Sequence, residues 1–203
     1  MRADATGRPR GGMLVGMAER YYNLFGQVIF DEIAAGRACA LSLYMGNALV
    51  IFVNLHAEEL EDRSAAPLLL EAVRDWLRVR PRHFLVMVGD FNFVAEDDSR
   101  YFPETGASSV GDDPLASAWA RVFPHLLEVG PHDYTHATRR DGAVDCVARL
   151  GRAYLNLTAV SALDLGVTAG VMGTIMGANP SDHLPVALRF FPVLLVRRSA
   201  PQL

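Results

Sequence analysis

The chain has 203 residues, of which 51% are hydrophobic and 21% charged. That composition suits one globular domain with a sizeable core. All 19 basic residues are arginine, and 23 acidic residues outnumber them to give a net charge of −4. A strongly basic protein that coats nucleic acid along its whole surface is thereby excluded. Two cysteines, Cys39 and Cys146, are too few for a disulfide scaffold. No apolar run approaches the roughly 18 to 20 residues needed to cross a bilayer.

Residues 1–12 (MRADATGRPRGG) read as a polar, flexible lead-in without the apolar stretch of a secretory signal, which favours an intracellular protein. Residues 13–192 read as one domain with no linker to split it, and 193–203 as a loose tail. Strands are expected at Met13–Met17, Ala38–Tyr44 and Ala48–Val53, with Gly46-Asn47 as a hairpin turn between the last two. Pro67 to Arg80 has helical spacing, with Leu69, Val73, Trp76 and Leu77 on one stripe. Further strands are expected at Phe84–Val88, Arg152–Leu155 and Leu184–Phe190. A second helix is expected from Pro114 to Val129, with Pro124 ending or kinking it. Strands alternating with helices in this order predict a layered α/β domain.

Polar chemistry gathers where the strands stop. Phe84–Val88 runs into Gly89-Asp90-Phe91-Asn92, which delivers a carboxylate and an amide to the rim of a sheet. There they can hold a divalent cation, a water or a phosphate oxygen. An Asx turn is the plainer reading of the same residues. Ser181-Asp182-His183 stands just before the last strand, where a carboxylate and an imidazole can divide cation binding and proton transfer. Asn54 and His56 follow the Ala48–Val53 strand, and strand alternation puts both on one face.

Gly89-Asp90-Phe91-Asn92 and Ser181-Asp182-His183-Leu184-Pro185 resemble the GDFN and SDH signatures of the endonuclease/exonuclease/phosphatase superfamily. The stretch AWARVFPHLLEV…YTHATRR…ARLGRAYLN is similar to its retrotransposon-type branch. The resemblance implies a DNase I-like layered α/β sandwich of two packed sheets flanked by helices. It implies that Asp90 and Asp182 bind Mg²⁺ or Mn²⁺, and that Asn92 positions the attacking water or a phosphate oxygen. His183 becomes the general base or phosphate-stabilising imidazole, and His56 contacts phosphate or protonates the leaving group. Arg149 and Arg152 stand where they could meet phosphate oxygens, or be solvated surface charges.

Two departures from the family pattern bear on activity. Gly151 occupies the position of the aspartate that orients the catalytic histidine, and Asp145 lies six residues upstream. The family's first strands, one with Asn and one ending in a metal-binding Glu, have no counterpart before Met13. The chain is therefore expected to lack those strands, as a truncated or degenerate member, and to bind its metal weakly. Three functions stay open at this point. The first is a metal-dependent phosphodiesterase of nuclease type acting on nucleic acid, impaired in turnover. The second is a catalytically dead member that binds phosphate or nucleic acid. The third is a sphingomyelinase- or inositol-phosphatase-like phosphoesterase. A monomer is favoured.

Overall fold

The computed structural model describes residues 2–3, 9–10, 15, 17–57, 65–94, 100–109, 114–130, 133–140, 142–164, 166–172, 183 and 186–189. Arg2–Ala3 pairs antiparallel with Pro9–Arg10, and a single helical turn spans Glu19–Tyr22. The main sheet then begins with an antiparallel meander. Its strands are β1 (Gln27–Ala34), β2 (Ala38–Met45) and β3 (Ala48–His56). Gly46 takes φ of 57° in the turn between β2 and β3, the hairpin expected at Gly46-Asn47. Helix α1 (Ala65–Arg78) crosses over to β4 (Phe84–Asp90), which lies parallel to β3.

Strands β5 (Arg100–Phe102) and β6 (Ala107–Ser109), helix α2 (Pro114–Val122) and strand β7 (Leu127–Glu128) follow. The hairpin β8 (His136–Arg140) and β9 (Ala143–Ala148) leads into β10 (Gly151–Leu155). Helix α3 (Ala159–Asp164) and strands β11 (Thr168–Val171) and β12 (Val186–Arg189) complete the described elements. Besides the Arg2–Ala3/Pro9–Arg10 pair, the described residues form three sheets: six strands in the order β1-β2-β3-β4-β10-β7, four in the order β8-β9-β5-β6, and the pair β11-β12. Strand β12 packs on β10, and an isolated bridge joins His136 to His183. The two multistranded sheets with flanking helices form the layered α/β architecture expected of a DNase I-like fold.

Apolar periodicity sets the core between the main sheet and the helices. Leu69, Leu70, Val73 and Leu77 of α1 are buried against Ile51, Val53 and Leu55 of β3 and Leu85 and Met87 of β4 in one cluster. Helix α2 packs on α1 and contributes Ala118 and Trp119. Phe91, Trp119 and Tyr154 meet edge to face or tilted, with centroids 4.6 to 5.0 Å apart. Because Phe91 directly follows Asp90, this aromatic cluster anchors the end of β4.

Several expectations are corrected. The second helix stops at Val122 rather than Val129, because Pro124 cannot continue the helical ladder. Leu127 and Glu128 instead pair with Leu155 and Tyr154 as an edge strand. Val15 and Met17, the described residues of the Met13–Met17 segment, are not in a strand, and the others lie outside the described residues. The β1 strand, Gln27–Ala34, was not anticipated: only partly buried along its length, it lacks a solid apolar run. Of the Leu184–Phe190 segment, Val186–Arg189 forms the strand and residues 184, 185 and 190 lie outside the described residues.

Candidate active site at the strand ends

Asp90 is the last residue of β4 and is held from both sides. Its Cα is level with His56 on parallel β3 and with Gly151 on antiparallel β10. Beyond the strand, Ala57 N–H donates to the Asp90 carbonyl at 2.8 Å, and Phe91 N–H donates to the Leu150 carbonyl at 2.9 Å. The preceding Gly89 has φ of +151°, and a Cβ there would sit inside the Leu55 carbonyl. The glycine is thus required by close approach of two strands, as well as by its backbone angle.

The carboxylate of Asp90 divides its two oxygens. Oδ1 accepts the Asn92 N–H at 3.1 Å, while Asn92 takes the left-handed φ of 51° that asparagine tolerates. This is the Asx turn read as the plainer alternative, and it coexists with a rim position for the second oxygen. Asp90 Oδ2 lies 3.6 Å from His183 Nε2 and 3.9 Å from His56 Nε2. Both separations exceed hydrogen-bond length but allow charge interaction. One carboxylate therefore stands between two imidazoles carried by different segments. The Asp90 side chain is 19% exposed, against 31% for His56 and 38% for His183, so the group opens to solvent.

Alternation along β3 explains the placement of His56. Ile51, Val53 and Leu55 are buried, whereas Asn54 and His56 are partly exposed on the opposite face. The structure thus brings the expected Asp90, Asn92, His56 and His183 to one rim. Asp182, the remaining expected metal ligand, lies outside the described residues.

Two neighbours at this rim were not anticipated. Thr135 is fully buried, and its Oγ1 accepts the N–H groups of Leu150 at 2.9 Å and Gly151 at 2.7 Å. It thereby fixes the turn from β9 into β10 opposite Asp90. His136 follows it, and its ring lies 4.5 Å from that of His183 between centroids. The sequence signal for them is the YTHATRR segment, similar to the retrotransposon-type branch.

Arg149 and Arg152 are corrected as phosphate contacts and as surface charges alike. Arg152 is fully buried and Arg149 6% exposed. Both donate to Glu128 Oε1, at 2.7 Å from Arg149 and 2.9 Å from Arg152. Arg152 also reaches the carbonyls of Phe93 and Arg149, at 3.3 and 3.2 Å. Alternation along β10 sends Arg152 to the face opposite that of Gly151. Tyr154 OH donates to Glu128 Oε2 at 3.2 Å, and burial, reinforced by the Glu128 charge, pushes the phenol well above its ordinary range. A cavity of about 430 Å³ lined by Glu128, Arg149 and Leu163 borders this cluster and contains none of the rim residues.

Among the described residues, no three His, Cys, Asp or Glu side chains converge to hold a metal ion. Asp90 contributes carboxylate oxygen at the rim, and one of its two oxygens already accepts a backbone N–H. Mg²⁺ favours an octahedral shell of oxygens, so the described residues by themselves do not make a site for it. No helix among them is long and apolar enough to cross a membrane.

No protein-family model matches this sequence, and no curated protein does. Solved structures do match. The endonuclease domain of TRAS1, a telomere-specific non-LTR retrotransposon, aligns over 80% of this chain and 68% of its own at 14% identity, with a TM-score of 0.54. Beta toxin from Staphylococcus aureus aligns over 76% of this chain and 57% of its own at 10% identity, with a TM-score of 0.50. An endonuclease/exonuclease/phosphatase family protein from Leptotrichia buccalis aligns over 82% and 61% at 13% identity, with a TM-score of 0.48. The chain thus spans between 57% and 68% of the length of these structures. At such identities the likeness is one of fold, and the fold is DNase I-like.

Proposed function

We propose that this chain is a phosphodiesterase of the endonuclease/exonuclease/phosphatase superfamily, of nuclease type, with a site impaired for turnover. The observation that supports this reading most is the meeting of Asp90, His56 and His183 at one rim, with Asp90 Oδ2 3.9 Å from the first imidazole and 3.6 Å from the second. An imidazole beside a carboxylate can take a proton from an attacking water, because the carboxylate stabilises the imidazolium that forms. In this reading His183 does so, His56 faces the leaving oxygen, and Asn92 orients the water or a phosphate oxygen. The resemblance implies that Asp90 and Asp182 hold Mg²⁺ or Mn²⁺, an ion that would polarise a phosphoryl oxygen.

One feature of the rim supports the reading of impairment. Position 151 is level with Asp90 on the neighbouring strand and carries glycine in place of the family's aspartate. A catalytically dead, phosphate- or nucleic-acid-binding protein is the second reading, and this glycine is the observation that favours it. The experiment is nicking of supercoiled plasmid by the purified chain with Mg²⁺ or Mn²⁺, beside His183→Ala and an EDTA control. Slow, divalent-dependent nicking by the wild type alone supports the phosphodiesterase; equal background from both proteins supports the binder. A parallel panel of sphingomyelin and inositol phosphates tests the lipid and inositol alternative.

A further inference from the structure

One imidazole at the rim has no part in the reaction as proposed. His136 opens β8 immediately after buried Thr135. Its backbone forms an isolated antiparallel bridge with His183, so the two residues are directly opposite each other. Residues in that relation are the closest cross-strand neighbours and pack side chain on side chain. Their rings stand 4.5 Å apart between centroids, inclined at 56°. His183 therefore meets the ring of His136 and also the carboxylate of Asp90, 3.6 Å from its Nε2.

The His183 side chain is 38% exposed. Strand β10 has no side chain at Gly151 to restrain it. The space a Cβ would take there is bounded by Thr135 Oγ1 at 3.3 Å and Val186 Cγ2 at 3.2 Å. We propose that His136 is a positioning residue of His183: its ring packs against the imidazole and keeps Nε2 turned toward Asp90. The contact replaces a restraint by a carboxylate with a restraint by ring packing. This inference rests on the phosphodiesterase reading of the rim, because it gives the held imidazole its task.

The test combines kinetics with a readout independent of turnover, on the full chain and on His136→Ala and His136→Phe. Three-bond couplings in isotope-labelled protein report the χ1 rotamer of His183, whose signals are identified by their loss in His183→Asn. A single His183 rotamer is expected in the wild type and His136→Phe, and rotamer averaging in His136→Ala. In the plasmid assay His136→Ala lowers kcat by about ten- to a hundredfold, the scale of a misplaced reacting group. KM stays within about twofold, because a lost orientation acts on turnover rather than binding. His136→Phe, which keeps a ring, restores kcat to within about threefold of the wild type, as expected of packing without proton transfer. An unchanged His183 rotamer in His136→Ala overturns the inference whatever kcat does. So does a His136→Phe variant as impaired as His136→Ala. If the wild type cleaves nothing, the phosphodiesterase reading falls, and the couplings still decide whether His136 holds His183.

Discussion

Replacing Arg152 by methionine removes the most deeply buried charge in the described structure while keeping much of its volume. The guanidinium makes two bonds to Glu128, at 2.9 and 3.1 Å, and one each to the carbonyls of Phe93 and Arg149. Removing one partner of a buried ion pair typically costs about 3 to 5 kcal/mol. Glu128 is 28% exposed and keeps Arg149 at 2.7 Å, which places the loss near the lower end. About 3 kcal/mol is a large share of the roughly 5 to 15 kcal/mol that separates folded from unfolded domains. For a chain of this size it corresponds to a fall in Tm of roughly 6 to 12 °C. Thermal unfolding followed by circular dichroism and calorimetry measures it. A change within about 0.5 kcal/mol, the range of exposed substitutions, would refute the structural role of Arg152. So would a variant that folded normally but bound DNA with a shallower salt dependence, the mark of a lost phosphate contact.

Other expected outcomes probe the frame around Asp90. Gly89→Ala places a Cβ in the Leu55 carbonyl at a positive φ, so it should cost about 3 kcal/mol or more and abolish cooperative unfolding in a marginal background. Gly151→Asp alone should lower stability by about 1 to 3 kcal/mol through crowding against Val186 and Thr135. Combined with Val186→Ala it should recover stability and raise the nicking rate; a stable double variant no faster than the wild type contradicts the correspondence of Gly151 with the family's aspartate. Tyr154 is kept neutral in the fold above its ordinary value of 10.0. Above that pH the unfolded chain loses the proton first, so stability should decline as pH rises, and less so in Tyr154→Phe. Unfolding midpoints measured on both sides of that value check the sign.

Much of the fold was legible because its strongest signals are local. The β2–β3 hairpin has a Gly-Asn turn between solid apolar runs, and the α1 stripe buries at the expected spacing. The GDFN segment was readable because it sets polar residues at the end of the largely buried strand β4, and the SDH segment because it resembles a family signature. The features that escaped the sequence depend on pairing partners distant in the chain. Leu127 and Glu128 continue a helical pattern locally, yet they form a strand because Leu155 and Tyr154 offer a free edge. Arg149 and Arg152 carry no mark of burial in sequence, since their partner Glu128 is more than twenty residues away. His136 gains meaning only from its bridge to His183, again far along the chain.

Asp90, His56 and His183 are proposed to act as one site on a phosphodiester. A double-mutant cycle in kcat/KM for plasmid nicking, with Asp90→Asn and His183→Ala, measures whether they do. Residues that act as a unit lose nearly everything with the first substitution, so the double variant should be about as slow as either single one. Losses that simply add, or divalent-dependent cleavage that survives both substitutions, would contradict the proposal.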